Sequence, residues 1–149
     1  MAGLIYHMCQ SALFTEAANQ HRDYFPPTYA HDGFIHATAV PSMLIEVANH
    51  FYKDTRGRTI PYHHSLVYIS SIGDWICLEI DPQLLANGPQ CVVYEAPAPV
   101  GDKESFHQPD DASVQKFPHI YGGINASSVI RTFPILRSDD GTFVAIDGL

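Results

Sequence analysis

The stretch DGFIHATAVPSMLIEVANHF, residues 32–51, decides how the rest of the chain is interpreted. Asp32-Gly33 is typical of a turn, and the short apolar run Gly33–Thr38 that follows predicts a strand. Pro41 suits the first position of a helix. After it, apolar residues recur at spacings of one, three, one and three, as in an amphipathic helix: Met43, Leu44, Val47, Ala48 and Phe51.

Six further runs are short, apolar and rich in Val, Ile, Tyr or Trp, and they predict strands: Gly3–Met8, Ser65–Ser70, Asp74–Asp81, Cys91–Glu95, Thr132–Leu136 and Thr142–Ile146. Gly73-Asp74 suits a hairpin between the second and third of these runs, and Asp139-Asp140-Gly141 suits a turn between the last two. Strands outnumber helices, and the helices cluster early. Over a length of 149 residues this pattern predicts one α+β domain built mainly from antiparallel strands.

Other segments predict helical turns or loops. Three predict helical structure: Ser11–Asn19 with Ser11 as its cap, one turn over Pro82–Gly88, and a short helix capped by Asn125. Three are rich in polar residues or proline and predict loops: His21–Gly33, Lys53–His64 and Ala96–Lys116. The last of these is either a mobile flap over a site or an ordinary solvated loop, and the second alternative is favoured.

Acidic residues outnumber basic ones by 16 to 8, and the formal net charge is −8. An acidic surface repels phosphate backbones, so the composition argues against general nucleic-acid binding. The three cysteines have no CxxC spacing, the N-terminus lacks the features of a signal peptide, and no apolar run is long enough to span a bilayer. We therefore expect a cytoplasmic protein without a membrane partner, whose ligand is a small molecule. The oligomeric state stays open.

Nine histidines are present, and two of them lie within apolar strands. His7 lies between Ile5 and Met8, and His36 follows Phe34 and Ile35. Burying an imidazole costs free energy unless its nitrogens find partners, so the two residues together suggest a shared polar pocket. The alternative for either one alone is a satisfied core histidine or a residue on the solvent face.

The segment Phe117–Gly123 and the nearby Glu95 are the other candidates for chemistry. Pro118 restricts its neighbours and the glycine pair permits close backbone approach, so His119 and Tyr121 are expected to be held towards a ligand. A structural turn with a packed aromatic residue is an equally weighted alternative. Glu95 ends a predicted strand beside a loop, which suits a functional acid and equally an ordinary solvated glutamate.

Metal and nucleophile chemistry find little support in the sequence. The pair His63-His64 has no third ligand at a recognised spacing, so no metal is expected. Cys9 lies near His7 but is expected to be inert. No phosphate-cradling glycine loop or nucleophile motif is present.

Three segments together resemble a family catalogued as domain of unknown function 952. They are Tyr6-His7, then Asp32–Thr38 with the helix that holds Ala48–Tyr52, and finally Phe117–Gly122. The family typically has Tyr-His, Glu-Gly-Phe-Ile-His-Cys-Ser and Phe-Pro-His-Ile-Tyr-Gly-Pro-Leu in this order. Here Asp32 replaces the glutamate and Ala37-Thr38 replace Cys-Ser. The segments Ser11–Tyr29 and Lys53–Trp75 are extended relative to typical members.

The resemblance implies a fold like that of ADP-ribosyltransferases, which bind NAD in a cleft between two small antiparallel sheets. By this resemblance His7 contacts a ribose or phosphate, His36 lines the cleft, and Glu95 steadies the ribose as nicotinamide leaves. Phe34 and Thr38 flank His36 on the strand that carries the likeness. Met8-Cys9 stand where those enzymes have Gly-Thr after their first histidine, so the resemblance is weakest there.

Three hypotheses follow for the function. The first is an enzyme acting on NAD or a related nucleotide, with NAD as substrate and no other cofactor. The second is an isomerase, cyclase or lyase in which His36 and His119 act as acid and base on a small organic molecule. The third is a binding module without catalysis. The candidate catalytic residues are His36, His119 and Glu95, and the candidate binding residues are His7, Phe34, Thr38 and Tyr121.

Overall fold

Antiparallel pairing organises every strand of the computed structural model, which describes residues 3–51, 58–62, 65–69, 74–98, 116–138 and 141–149. The strands are β1 Ile5–Gln10, β2 Ile35–His36, β3 Arg58–Tyr62, β4 Ser65–Ile69, β5 Trp75–Ile80, β6 Val92–Glu95, β7 Phe117–Ile120, β8 Val129–Arg137 and β9 Phe143–Ile146. The helices are α1 Ser11–Asn19, α2 Tyr29–Asp32 and α3 Met43–Phe51, with single 3-10 turns at Pro82–Leu84, Pro89–Cys91 and Ala126–Ser128. The α+β prediction is confirmed.

The strands form a four-stranded sheet in the order β1-β5-β8-β9, a three-stranded sheet in the order β2-β7-β6, and the pair β3-β4. A backbone bridge joins the first two sheets. The Tyr6 amide donates to the Thr38 carbonyl and the Thr38 amide donates to the Tyr6 carbonyl, both at 2.8 Å. Strand β1 is therefore paired at Tyr6 with the chain that leaves β2. We call this bridge the sheet junction.

Strand β1 is buried on both faces, because alternate side chains point to opposite sides of a strand. One face carries Ile5 and Cys9 into a cluster with residues of β2, β5 and β7. The opposite face carries Tyr6 and Met8 into a second cluster, which α3 completes with Leu44 and Ala48. The apolar stripe predicted for α3 thus packs against the four-stranded sheet through Leu44 and Ala48. Part of the stripe also faces the pocket described below.

Gly33 ends helix α2 in the left-handed conformation, with φ +82°, and its amide donates to the Tyr29 carbonyl at 2.7 Å. The chain then enters β2 directly. The prediction of a loop over His21–Gly33 was therefore wrong for residues Tyr29–Asp32, which form α2. The helix is a single turn in a segment with two prolines, too short to give a periodic pattern.

Several predicted boundaries and connections were wrong. Ser11 is the first helical residue and Gln10 precedes it as the cap, without a side-chain hydrogen bond. Pro41 lies before α3, which begins at Met43. By contrast, the prediction that Asn125 caps a short helical segment is confirmed for the 3-10 turn Ala126–Ser128, although its Oδ1 accepts from the Ala86 amide at 2.8 Å and not from the turn itself.

The segment Lys53–His64 was predicted as a loop, but β3 lies within it and pairs with β4 from Arg58↔Ile69 to Tyr62↔Ser65. The predicted hairpin between β4 and β5 does not form, because β5 pairs with β1 and β8 instead. Backbone pairing with a distant partner overrides such local turn signals. Gly73, His63-His64, Asp139-Asp140 and most of the loop Ala96–Lys116 lie outside the described residues.

The segment Phe117–Gly123 is a central strand over Phe117–Ile120 rather than a turn. Proline is rare in central strands because it has no amide to donate. Pro118 is accommodated because β2 ends at His36, which pairs with His119. The Ala37 amide still donates to the Pro118 carbonyl at 3.1 Å, so the missing donor falls where the ladder ends.

Candidate functional site

A pocket opens at the sheet junction, between the residues of β1, β2 and β7 and the inner face of α3. Its space amounts to about 900 Å³ with the open mouth included. Three histidines from the three strands line it: His7, His36 and His119. Large apolar side chains from α1, α3, β5 and β7 also line it: Leu13, Leu44, Val47, Phe51, Trp75 and Phe117.

His36 and His119 lie side by side because they are direct partners in the β2–β7 ladder. Their ring centroids are 5.4 Å apart, and the ring planes are inclined at 68°. Residues 34 and 121 lie two positions away, just beyond the ends of these strands, and the Phe34 ring contacts those of His119 and Tyr121 on the same face. The pairing thus explains why residues 83 positions apart in the sequence, 36 and 119, share one site.

His119 is held by a carboxylate on the next strand. Its Nδ1 lies 2.9 Å from Glu95 Oε1, which also accepts a hydrogen bond from the Tyr121 hydroxyl at 2.6 Å. A carboxylate accepts only, so Nδ1 carries the proton and Nε2 of the neutral ring is free to accept one. Glu95 reaches His119 as its diagonal neighbour, since Glu95 itself pairs with Phe117.

Burial is the largest effect on the pKa of His119 and lowers it, and a charge on His36 lowers it further, although the hydrogen bond to Glu95 opposes both. The ring is therefore neutral at neutral pH. Hydrogen bonds from Tyr121 and His119 lower the pKa of Glu95, which keeps this carboxylate ionised. The same contact with Glu95 raises the pKa of Tyr121.

His36 has a carboxylate of its own. Its Nε2 lies 3.1 Å from Asp32 Oδ2, while His31 Nδ1 lies 2.9 Å from the other oxygen, Oδ1. Asp32 ends α2, and the left-handed Gly33 turns the chain so that Asp32 faces back towards His36. Two histidine–carboxylate pairs, His119–Glu95 and His36–Asp32, thus lie next to each other at one wall of the pocket.

The Phe34 ring contacts the rings of His36, His119 and Tyr121 from outside the pocket wall. It stacks on His119 with centroids 4.2 Å apart and planes inclined at 21°. Its ring also lies 4.7 Å from that of His36 and 5.5 Å from that of Tyr121. An aromatic ring in contact with both histidines restricts their rotation, which suits groups that must be held in one orientation.

His7 lies on the other side of the sheet junction and is only 5% exposed. Its Nδ1 is 2.6 Å from the His36 carbonyl oxygen. A carbonyl accepts only, so Nδ1 carries the proton and Nε2 is the unprotonated nitrogen. Burial lowers the pKa of His7 to about 4. Among the described residues, none provides a hydrogen bond to the buried Nε2.

The predicted site residues fall into two groups. His7, His36, His119 and Thr38 line the pocket, whereas Glu95, Phe34 and Tyr121 support His119 and His36 from outside its wall. Thr38 is fully buried, and its hydroxyl is engaged with the backbone of Val40, which fits a turn better than a ligand contact.

Sequence reasoning missed Asp32 as the partner of His36, and it missed the contribution of α3 to the wall. Asp32 was interpreted as part of a turn and as the replacement of the family's glutamate, without a role in the site. The signal available for it was the spacing of four from His36, but that spacing implies contact only within a helix. The side chains Leu44, Val47 and Phe51 were assigned to a packed stripe, because periodicity cannot distinguish a core from a cavity wall.

Two further properties of the described residues bear on the chemistry. Burial raises the pKa of the Cys9 thiol, and it raises that of Cys77 to about 12, so neither is a reactive thiolate. No group of three His, Cys, Asp or Glu side chains in the described segments is arranged to hold a metal ion. No helix within the same segments is long and apolar enough to cross a membrane.

Comparison with known proteins finds the same fold in a protein of similar size. The crystal structure of protein CC0527 from Caulobacter crescentus matches with a TM-score of 0.59 and 21% identity, covering 95% of this chain and 93% of that one. A double mutant of the same protein matches with a TM-score of 0.59 and 20% identity over the same shares. At this identity the likeness shows the fold alone. No curated protein matches.

A family model described as "Protein of unknown function (DUF952)" matches residues 8–132. This range includes β2, β7 and both histidine–carboxylate pairs, and it extends over most of the chain. The resemblance seen in the sequence motifs is confirmed at the level of the family. The chain therefore belongs to the DUF952 family.

Proposed function

We propose that the protein is a general acid–base enzyme that moves protons within a small organic molecule, as an isomerase, cyclase or lyase. One observation carries the proposal. Two imidazoles lie 5.4 Å apart at the wall of an apolar pocket, and each is oriented by its own carboxylate. Two adjacent imidazoles that are each held in one orientation can serve as the acid and the base that act on one substrate.

His119 is assigned the role of base. Its Nδ1–H is engaged with Glu95, which leaves Nε2 to accept a proton from a substrate C–H or O–H. Glu95 is ionised and stabilises the imidazolium that results. Phe34 and Tyr121 act as positioning residues, because they hold the ring and its carboxylate in place.

His36 is assigned the role of acid. Its Nε2–H bonds to Asp32, so Nδ1 of the protonated ring delivers a proton to the substrate. In one turnover the substrate loses a proton to His119 Nε2 and gains one from His36 Nδ1. Exchange with solvent then restores both rings. A charge on His36 lowers the pKa of His119, which favours the state in which only one of the two is protonated.

An enzyme acting on NAD or an ADP-ribosyl compound is less well supported. Pyrophosphate sites commonly supply cationic side chains that pair with the phosphate charges. The pocket wall contains neither Lys nor Arg among the described residues. Glu95 Oε1 accepts from both His119 and Tyr121, which suits a structural partner of His119 better than a group that steadies a ribose. The Caulobacter structures give no support for an ADP-ribosyltransferase-like fold.

Proton exchange provides a test that does not require the natural substrate. The protein is incubated in deuterium oxide with a panel of neutral cyclic ketones and hydroxyketones, and proton NMR follows the loss of C–H signals next to the carbonyl. We expect catalysed exchange by the wild type and a loss of about a hundredfold or more in His36→Gln and in His119→Gln.

His50→Gln is the matched control, since His50 is an exposed histidine of α3 that does not line the pocket. Equal exchange rates in His36→Gln, His119→Gln and the control would contradict the assignment of acid and base. Saturable binding of panel members without any exchange would favour a binding module instead.

A further inference from the structure

His7 has an unusual combination of properties for a buried side chain. It is 5% exposed, it lines the pocket, and its Nδ1–H is committed to the His36 carbonyl at 2.6 Å. Its Nε2 has lost its access to solvent without gaining a hydrogen bond from any described residue. Buried polar atoms are nearly always hydrogen-bonded, so this acceptor calls for a donor beyond the described residues, and its place in the pocket wall makes a bound ligand a source of it.

The rest of the pocket defines the kind of molecule that could bring the donor. The wall formed by the described residues has no Lys, Arg, Asp or Glu, and large apolar side chains from α3 and β5 make up much of it. Placing an ionised ligand in such surroundings costs several kcal/mol unless the charge is paired. A neutral molecule with a broad apolar surface meets no such cost.

We propose that the ligand of this pocket is a neutral, mainly apolar organic molecule that donates a hydroxyl or N–H hydrogen bond to His7 Nε2. The inference rests on the proposed function for its site, because it names the substrate class of the same pocket. The two proposals can nevertheless be tested separately, because recognition of a ligand by His7 does not depend on proton transfer by His36 and His119.

The orientation of the ligand follows from the positions of the three histidines. His7 is tied to the backbone of His36, so the bound donor group lies next to the His36–His119 pair. The donor fixes one end of the molecule and the apolar wall holds the remainder. His7 is therefore a specificity residue: it selects molecules with a donor and discriminates against analogues in which that donor is blocked.

The first test uses the wild type without ligand. Imidazole nitrogen chemical shifts, measured by long-range NMR correlation, report which ring nitrogen carries the proton. We expect His7 to be neutral and protonated at Nδ1. Protonation at Nε2 would overturn the inference, because that nitrogen would then be a donor.

The second test compares three probes: naphthol, its methyl ether and naphthalenesulfonate. Naphthol is neutral and can donate, the ether is neutral and cannot, and the sulfonate is charged. We expect naphthol to bind at least about tenfold more tightly than the ether, because only naphthol satisfies the buried acceptor. We expect the sulfonate to bind more weakly than either. The His7 Nε2 shift should move with naphthol alone.

In His7→Phe the preference for naphthol over its ether should disappear, and in His36→Gln and His119→Gln it should remain. Should His7→Phe fail to fold, the Nε2 shift of the wild type provides the same information. Equal binding of naphthol and its ether, tighter binding of the sulfonate, or no binding of any probe at millimolar concentration would each overturn the inference. Absence of catalysed exchange in the wild type, or equal exchange rates in the wild type, His36→Gln and His119→Gln, would refute the proposed function alone if the preference for naphthol is intact.

Discussion

The buried His7 is expected to make the fold sensitive to mild acid. An ordinary imidazole has a pKa of 6.5, and burial lowers that of His7 to about 4. Below pH 6.5 the unfolded chain takes up a proton at this residue that the folded chain does not. The free energy of unfolding therefore decreases as the pH is lowered. His7 therefore contributes fully above pH 6.5, and its contribution is lost progressively as the pH falls to about 4.

The size of this effect follows from the pKa difference. Each unit of pKa corresponds to about 1.4 kcal/mol, so a fall from 6.5 to about 4 amounts to roughly 3 kcal/mol of unfolding free energy. That is a large part of the total of about 5–15 kcal/mol that holds a typical domain folded. The effect is thus large enough to be measured by denaturant unfolding.

Urea unfolding at pH 7 and at pH 4 measures the change in the wild type and in His7→Asn. The asparagine amide places a donor near the position of Nδ1 and has no proton to gain in this range. We expect the wild type to lose roughly 3 kcal/mol more than the variant between the two pH values. Equal losses in the two proteins would refute the reasoning, since His7 would then titrate alike in both states.

Three further predictions concern other contacts. Tyr6→Phe should destabilise the fold by about 1–3 kcal/mol in urea unfolding, because Glu79 Oε2 is buried and loses a donor at 2.9 Å; an unchanged midpoint would contradict this. Glu95→Gln should lower the pKa of His119 further in an NMR titration, since the carboxylate that raises it is gone, and a rise would argue against the pairing. Phe34→Leu should cost about 1 kcal/mol beyond the lost apolar area, as the ring stacked 4.2 Å from His119 is removed; a smaller loss in urea unfolding would mean that the stack contributes little.

Local pattern was sufficient to predict the elements that have strong periodicity or continuous apolar runs. Strands β1, β5 and β9 and helix α3 fall close to their predicted positions, and the α+β class follows from their order. Strand β3 could not be found, because its sequence carries no alternation and its pairing is set by β4. Elements of one turn, such as α2, are too short to have a period.

For the candidate site, too, one part could be predicted from the sequence and another could not. The sequence indicated which side chains need partners, since His7 and His36 lie in apolar strands. It could not identify those partners, because Asp32 reaches His36 through a left-handed turn and Glu95 reaches His119 across a strand pair. A pairing register is a property of the folded backbone, and a single sequence contains no record of it.

The sheet junction makes the pocket depend on the alignment of two sheets. Only the two reciprocal bonds between Tyr6 and Thr38 connect β1 to the chain that follows β2, as far as the described backbone extends. His7 and His36 stand on either side of this connection and are themselves linked by one hydrogen bond. A molecule held by both histidines would act as a clasp between the sheets. Its binding would be measured as slower hydrogen exchange of the Tyr6 and Thr38 amides, which form the sheet junction itself.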